Sequence, residues 1–240
     1  MALITCHLES ETLGVATTIT VILPQASPNP PVLYLLHGLG EDHMGWTRFT
    51  SIERYAEEAG LAVVMPSVHD SFYTDEVHGH PYWTYVSEEL PSLVQSLFRL
   101  SGRAQDTFAA GLSMGGYGAL KLALRHPDRY AAAASLSGTL DITYMADRPD
   151  RAEIYHRAFD GSPGDEADLF ALLARAPSVP PLYVGCGTED GLLPANQRFV
   201  DAAAEAGAEV TTDLRPGDHE WSLWDAMIAD VIDWLPISRG

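Results

Sequence analysis

Residues Thr107–Arg125 read TFAAGLSMGGYGALKLALR and give the strongest indication of the fold. A short apolar run ends at Ala110, and a helical pattern begins at Met114. The join between them, GLSMG at 111–115, has the G-x-S-x-G pattern of a serine on a sharp strand-to-helix turn. Glycines two residues before and after the serine remove Cβ atoms that would clash in such a turn. The pattern predicts that Ser113 projects from the carboxyl edge of a sheet as a nucleophile.

Outward from this turn, short apolar runs alternate with helical patterns. Strands are expected at Ile4–Glu9, Val15–Leu23, Val32–Leu36, Leu61–Met65, Thr107–Ala110, Tyr130–Leu136, Leu182–Val184 and Glu209–Leu214. Helices are expected at Ile52–Ala59, Val86–Leu100, Met114–Arg125, Ala195–Ala206 and Leu223–Leu235. This alternation indicates an α/β protein with a mostly parallel central sheet and helices on both faces. The first two strands are expected to form an antiparallel hairpin.

The composition fits one domain spanning residues 1–240. Of these 240 residues 46% are apolar, which suffices for a single buried core. Residues 141–177 are polar with scattered aromatics, and we interpret them as a small cap-like insertion over the active site. Lys and Arg number 14 against 33 Asp and Glu, a net charge of −19. So acidic a surface repels phosphate backbones, which argues against a nucleic-acid partner.

The remaining bulk features predict a cytoplasmic protein. Two cysteines are too few for a disulfide scaffold, and neither a metal nor a cofactor is expected. No apolar run approaches the roughly 18 residues of a membrane span. The first residues lack the pattern of a signal peptide, although a removed leader stays open, as does a homo-oligomer.

A serine nucleophile needs a base, and the base needs an orienting acid. Where the serine lies on such a strand-to-helix turn, the acid follows it in the chain and the histidine base follows the acid. His219 lies between the last strand and the last helix, where the base is expected. His126 fits better as a helix cap and His156 as a surface or pocket-wall residue. Asp190, after the strand Leu182–Val184, is the predicted acid, with Glu189 as its rival.

Acyl transfer also needs two backbone N–H groups aimed at the oxyanion. One is expected from Met114, directly after the nucleophile. The other is expected from the loop HGLG at 37–40, with Leu39 as the better candidate. His37 precedes the serine in the chain, and we interpret it as structural.

Several segments together resemble one family. They are GLSMGGYGAL at 111–120, YVSEELP at 85–91, CGTED at 186–190 and HEWSLWD at 219–225. They are similar to the esterase D group of the α/β-hydrolase fold, which includes S-formylglutathione hydrolases. With HGLGEDHMGW at 37–46, the likeness is greatest to small bacterial tributyrin-type (acetyl) esterases. The resemblance implies Ser113, Asp190 and His219 as catalytic residues and Leu39 and Met114 as oxyanion donors.

The sequence therefore predicts a serine carboxylesterase that acts on a small-molecule, short-chain acyl ester through an acyl-enzyme. Thioester hydrolysis of S-formylglutathione stays open, as does hydrolysis of acetyl or feruloyl esters on carbohydrates. A binding protein on an inactive hydrolase scaffold is a third alternative, and the intact set of catalytic residues argues against it. Four aromatic side chains are candidates for substrate binding, although core packing explains them as well: Trp83, Tyr155, Phe159 and Trp221.

Overall fold

The computed structural model describes residues 1–25, 28–146 and 148–237, so residue 147 of the predicted insertion lies outside it. Eight strands form one sheet in the order β1-β2-β4-β3-β5-β6-β7-β8. The strands are β1 (Ala2–Ser10), β2 (Val15–Leu23), β3 (Val32–Leu36), β4 (Ala62–Pro66), β5 (Thr107–Leu112), β6 (Ala132–Leu136), β7 (Leu182–Gly187) and β8 (Val210–Arg215). The β1–β2 hairpin is antiparallel and β2 joins β4 antiparallel, whereas β3 to β8 run parallel. The predicted hairpin and parallel sheet are confirmed.

The register of the parallel strands aligns their carboxyl ends. Leu112 of β5 pairs with Leu136 of β6, which pairs with Gly185 of β7, which pairs with Asp213 of β8. One row of backbone pairing therefore crosses four strands just before the loops that carry the candidate site. On the other side of β5, Gly111 pairs with Leu36, the last residue of β3.

Helices cover both faces of the sheet. They are α1 (Gly45–Phe49), α2 (Ile52–Ala59), α3 (Tyr82–Thr84), α4 (Leu90–Phe98), α5 (Met114–Arg125), α6 (Ala152–Phe159), α7 (Leu169–Arg175), α8 (Leu193–Glu205) and α9 (Trp221–Trp234). Helices α4 to α8 contribute to one apolar core, and α1, α2 and α9 contribute to the core on the opposite face. The strands β3 to β7, buried on both sides, are therefore almost entirely apolar.

The predicted helix Val86–Leu100 differs from the structure at both ends. A π-helical turn occupies Tyr85–Glu89, and the α-helix proper begins at Leu90 and ends at Phe98. Pro91 has no N–H to donate to the carbonyl of Ser87. That carbonyl instead accepts a hydrogen bond from the Arg129 guanidinium at 2.5 Å. The arginine therefore satisfies the carbonyl that the proline leaves without a helical partner.

The described part of the predicted insertion folds as short helices, without a strand. Two 3₁₀ turns, Ile142–Met145 and Pro149–Arg151, precede α6 and α7. None of the helices in the described ranges is long and apolar enough to cross a bilayer. The cytoplasmic location stays a prediction.

Candidate active site

Ser113 lies on a strained turn between β5 and α5. Its backbone angles are φ 53° and ψ −117°, in a region that residues with a side chain seldom adopt. A Cβ on Gly115 would lie 2.3 Å from the Leu36 carbonyl oxygen, and one on Gly111 would lie 2.3 Å from the Gly115 oxygen. The turn therefore packs too closely for any side chain at these two positions. This is the steric reason for the glycines of the G-x-S-x-G pattern.

A chain of two hydrogen bonds links Ser113 to His219 and Asp190. His219 Nε2 lies 3.1 Å from Ser113 Oγ, and His219 Nδ1 lies 2.8 Å from Asp190 Oδ2. His219 follows β8, Asp190 follows β7, and the aligned register brings both loops to the serine. The residues predicted as nucleophile and acid thus each contact the residue predicted as base.

Asp190 is held as an ionised acceptor. Its residue is only 4% exposed, and burial raises the pKa of its carboxyl. Hydrogen bonds from His219, the Leu192 N–H and the Ser137 hydroxyl lower the pKa by more, so it lies below the ordinary aspartate value. An ionised carboxylate can only accept, so the proton between the two rests on His219 Nδ1. Nε2 is then free to accept the serine proton.

The rival acid, Glu189, faces away from the histidine ring. Its Oε2 accepts the Gly217 N–H at 2.5 Å, and its Oε1 accepts the Thr188 hydroxyl at 2.8 Å. These bonds brace the loop that delivers His219. The geometry therefore favours Asp190 over Glu189 as the partner of the base.

The loop after β3 lies directly against Ser113. A Cβ on Gly38 would come within 3.5 Å of the Ser113 Cβ and 2.5 Å of the Leu112 side chain. The N–H of Gly40 donates to Asp70 Oδ1, and that of Glu41 donates to the Gly38 carbonyl. The neighbouring N–H groups are thus engaged elsewhere, and Leu39 is the candidate donor of this loop. Met114 opens α5, so its N–H has no carbonyl partner within the helix.

His37 fixes this loop from beneath. Its ring is 1% exposed, Nδ1 lies 2.8 Å from the Gly38 carbonyl oxygen, and Nε2 accepts the Val68 N–H at 3.1 Å. Burial lowers the pKa of His37 to about 4, so the ring is neutral at pH 7. Tyr73 donates its hydroxyl to the His37 carbonyl at 2.9 Å. These contacts give His37 the structural role that its position before the serine indicated.

A cavity of about 570 Å³ opens above Ser113 and His219. Its apolar lining comes from Leu39, Phe72, Met145, Ile154 and Leu192. Two arginines of the insertion, Arg148 and Arg151, also line it. The volume is in the range of small-ligand sites.

Comparison with known proteins agrees with this geometry. A family model described as putative esterase matches residues 10–235. The chain belongs to this esterase family. It is 30% identical to an acetyl esterase of Caldicellulosiruptor saccharolyticus, over 98% of both chains. Two Staphylococcus aureus structures are each 35% identical over 98% of both chains. They are fluorophosphonate-binding serine hydrolase F, with a TM-score of 0.91, and an S-formylglutathione hydrolase, with a TM-score of 0.88. The α/β-hydrolase fold is confirmed, and the chain is a carboxylic ester hydrolase of the serine class.

The esterase's four predicted substrate-binding aromatics lie outside the lining of this cavity. Trp83 is buried and stacks on His126, with ring centroids 5.6 Å apart. Tyr155 and Phe159 pack on each other within the insertion, 5.3 Å apart. Trp221 stacks on Phe49 at 4.9 Å. Core packing accounts for Trp83, Tyr155 and Phe159, whereas Trp221 is only half-buried and its stacking partner Phe49 is exposed.

Apart from Leu39, which was predicted as an oxyanion donor, the residues of the apolar wall were not predicted from the sequence. Phe72 lies in a segment where two successive residues adopt left-handed backbone angles, φ 51° at Phe72 and 47° at Tyr73. No local pattern predicts such a segment. Met145 and Ile154 belong to the insertion, but only its aromatic residues were singled out. Their apolar side chains amid charged neighbours were a signal that could have found them.

Two more residues of the esterase support the hydrogen-bonded chain. Trp224 packs edge-on against His219, with ring centroids 4.8 Å apart, and donates Nε1–H to the Ser137 hydroxyl at 3.1 Å. The Ser137 hydroxyl also helps to lower the pKa of the Asp190 carboxyl. Ser137 follows β6 directly, so the sheet register could have indicated its place beside Ser113.

Proposed function

We propose that this esterase hydrolyses short-chain acyl esters, with Ser113 as nucleophile, His219 as base and Asp190 as the orienting acid. The observation that carries the proposal is the continuous chain Asp190 Oδ2···Nδ1 His219 Nε2···Oγ Ser113, with bonds of 2.8 and 3.1 Å, open to a cavity. An unassisted serine hydroxyl is a weak nucleophile, and a neutral imidazole within hydrogen-bond reach activates it.

In the first half-reaction Ser113 Oγ attacks the ester carbonyl carbon as its proton passes to His219 Nε2. The carbonyl electron pair moves onto oxygen, and the N–H groups of Leu39 and Met114 are proposed to stabilise this charge. Asp190 stabilises the resulting imidazolium. Collapse of the tetrahedral intermediate expels the alcohol, which takes the proton from His219 and leaves an acyl-serine.

In the second half-reaction a water molecule gives its proton to His219 Nε2 and attacks the acyl carbon. The acid is released, and the proton returns to Ser113. Removing a donor from an oxyanion site typically costs 10²–10³-fold in kcat, so the proposed N–H pair contributes a large share of the acceleration.

The lining of the cavity supports a short acyl group. Five apolar residues form its walls, but Arg148, Arg151 and Asp70 interrupt them. Each methylene gains only about 0.8 kcal/mol, and only where water is excluded. Where polar residues interrupt the apolar wall, lengthening the acyl chain therefore adds less binding free energy per methylene. The acetyl esterase relative, similar along the whole chain, is consistent with acetyl to butyryl esters.

A second candidate is hydrolysis of the thioester S-formylglutathione. Arg148 and Arg151 line the cavity and offer positive charge to the carboxylates of a peptide thiol. The chain's 35% identity to an S-formylglutathione hydrolase also favours this candidate. The carbohydrate or feruloyl alternative loses the support of Trp83 and Trp221, which lie outside the cavity lining.

The test is a series of p-nitrophenyl esters from acetate to palmitate, assayed beside S-formylglutathione. We expect kcat/KM to peak between acetate and butyrate. Ser113→Ala should lower kcat by roughly 10⁴–10⁶-fold while the folded circular dichroism spectrum is retained. A fluorophosphonate probe should label wild type at Ser113 alone.

Ser96→Ala is the matched control, because Ser96 is an exposed serine on the helix α4. It should keep full activity and full labelling. Activity retained in Ser113→Ala, or labelling at another residue, would overturn the assignment. A higher kcat/KM for S-formylglutathione than for every ester would favour the second candidate.

A further inference from the structure

The insertion meets the loop after β4 at a surface cluster of two histidines and one aspartate. His78 Nε2 lies 3.2 Å from Asp160 Oδ1, and His156 Nδ1 lies 3.3 Å from the same oxygen. The two imidazole rings are 5.0 Å apart, and one ligand atom from each of the three residues lies within 4.8 Å of the others. All three side chains are exposed, so solvent ions reach them.

The backbone holds the two halves of this cluster together independently of the three side chains. The N–H groups of Val77 and His78 donate to the carbonyls of Ala158 and Arg157, at 3.2 and 3.0 Å. Arg157 reaches back across the junction to the buried carboxylate of Glu76 at 2.7 Å.

His156 and Asp160 lie one turn apart on α6 and its C-terminal cap, so they present neighbouring side chains. The ligand positions are therefore preorganised.

The donor set has the chemistry of a transition-metal site. Two imidazole nitrogens and one carboxylate oxygen suit Zn²⁺, Ni²⁺ or Cu²⁺, whereas Mg²⁺ and Ca²⁺ prefer oxygen alone. Around tetrahedral Zn²⁺ with bonds of about 2.0–2.1 Å, neighbouring ligand atoms lie about 3.3 Å apart. The two nitrogen–oxygen separations already have this value. Only the two nitrogens need to approach each other, which small ring rotations allow.

We propose that His78, His156 and Asp160 bind a divalent transition-metal ion of the zinc type, with water completing the shell. The chain's net charge of −19 raises the local concentration of cations. The bound ion ties α6 to the loop that carries Asp70 and Phe72, both of which line the cavity above Ser113. It is a structural clip between insertion and body, and it lies outside the hydrolytic residues.

The experiment titrates the EDTA-treated, full-length protein with Zn²⁺ against a chromophoric chelator at neutral pH. We expect one strongly bound zinc per chain. His78→Asn, His156→Asn and Asp160→Asn should each weaken zinc affinity by more than about tenfold, a loss that even changes to supporting residues of metal sites produce. His7→Asn is the matched control, because the ring of His7 contacts Thr18 of β2 instead, and it should bind zinc as wild type does.

Thermal melting supplies the second measurement, because an ion bound only to the folded state raises Tm. Zinc should raise the Tm of wild type and of His7→Asn, but not of the three site variants, and equimolar Mg²⁺ should have no effect. Hydrogen exchange should slow across 152–160 on zinc addition. The proposal fails if wild type binds no zinc, or if the His78→Asn and His156→Asn variants retain wild-type affinity.

Discussion

The cavity of this esterase has two walls of different construction. One wall is formed by loops at the carboxyl ends of the strands and carries Ser113, Asp190 and His219, joined by hydrogen bonds of 2.8 and 3.1 Å. The other wall is formed by the insertion and carries Met145 and Ile154 on short helices. The first wall is continuous with the sheet, whereas the described part of the second has no strand in the sheet and packs on it through apolar side chains.

The difference separates the chemistry from the choice of substrate. Proton transfer requires that the reacting atoms are held within a fraction of an ångström of their places. The loops at the carboxyl ends of the paired strands hold them in this way. The exposed ion pair Arg148–Asp150 lies within the insertion and does not fasten it to the sheet, and packing without strand pairing leaves this wall more able to adjust. We therefore expect changes on the sheet side to lower kcat for every substrate. Changes on the insertion side should redistribute kcat/KM among substrates.

After Ser113→Ala, the largest effect should come from Asp190→Asn. The amide keeps the size of the side chain but removes the charge that stabilises the imidazolium, and it favours the wrong histidine tautomer. We expect a loss of order 10⁴ in kcat, equal for all acyl lengths. Steady-state kinetics on acetate and butyrate esters measure it.

Glu189→Gln is the matched control, because Glu189 lies next to Asp190 and braces Gly217 without contacting the His219 ring. It should cost far less activity than Asp190→Asn. If the two variants exchange these outcomes, Glu189 and not Asp190 is the acid that orients His219.

A smaller effect concerns the buried ring of His37, beneath the loop at 37–40. Burial lowers the pKa of His37 from 6.5 to about 4, so between these values the unfolded chain binds a proton that the folded chain does not. Above pH 6.5 the neutral His37 ring makes its full contribution to the stability of the folded state, and this contribution is lost as pH falls toward 4. The loss amounts to up to about 3 kcal/mol.

Urea unfolding of wild type and His37→Asn across pH 4–7 measures this contribution. The variant should be less stable at pH 7, because the Val68 N–H loses its acceptor. Its stability should also decline less steeply toward pH 4, because asparagine does not titrate. The surface carboxylates titrate equally in both proteins and do not affect the difference. Parallel curves for the two proteins would contradict a buried neutral His37.

The smallest effect should come from the insertion wall. Ile154→Ala enlarges the apolar part of the cavity, so the preferred acyl chain should lengthen. One accommodated methylene is worth about 0.8 kcal/mol, or roughly fourfold in kcat/KM. Acetate turnover should change little. Leu97→Ala, an exposed leucine on α4, is the control and should leave the chain-length profile unaltered.

A profile unchanged by Ile154→Ala, or a uniform loss for every ester, would show that the insertion does not select the acyl chain.

What the sequence could predict depended on how local the signal was. The bounds of β2, β3, α2 and α5 were predicted to the residue, because apolar runs there end at Pro, Gly or charged positions. The contact among Ser113, Asp190 and His219 was also predictable, since strand ends of a parallel sheet meet at one edge. The catalytic roles of these residues stay a proposal.

The cavity lining was not predictable in the same way. Phe72 reaches the cavity from a segment with left-handed backbone angles, and no residue pattern predicts this segment. Trp83 has the composition of a binding residue, yet it stacks on His126 in the packed interior. Which face an aromatic side chain presents is decided by tertiary packing, which a single sequence does not reveal.

One row of strand pairing runs through Leu112, Leu136, Gly185 and Asp213. It joins the strands that precede the loops of the site into one cooperative unit. Ser113 N–H donates to the Leu136 carbonyl at 2.9 Å, and Ser137 N–H donates to the Gly185 carbonyl at 2.7 Å, so the ladder extends into the site itself. Ser113 and Ser137 are therefore held by the central strands, which open only in global unfolding. Any partially open state that keeps these strands paired leaves the serine turn in place.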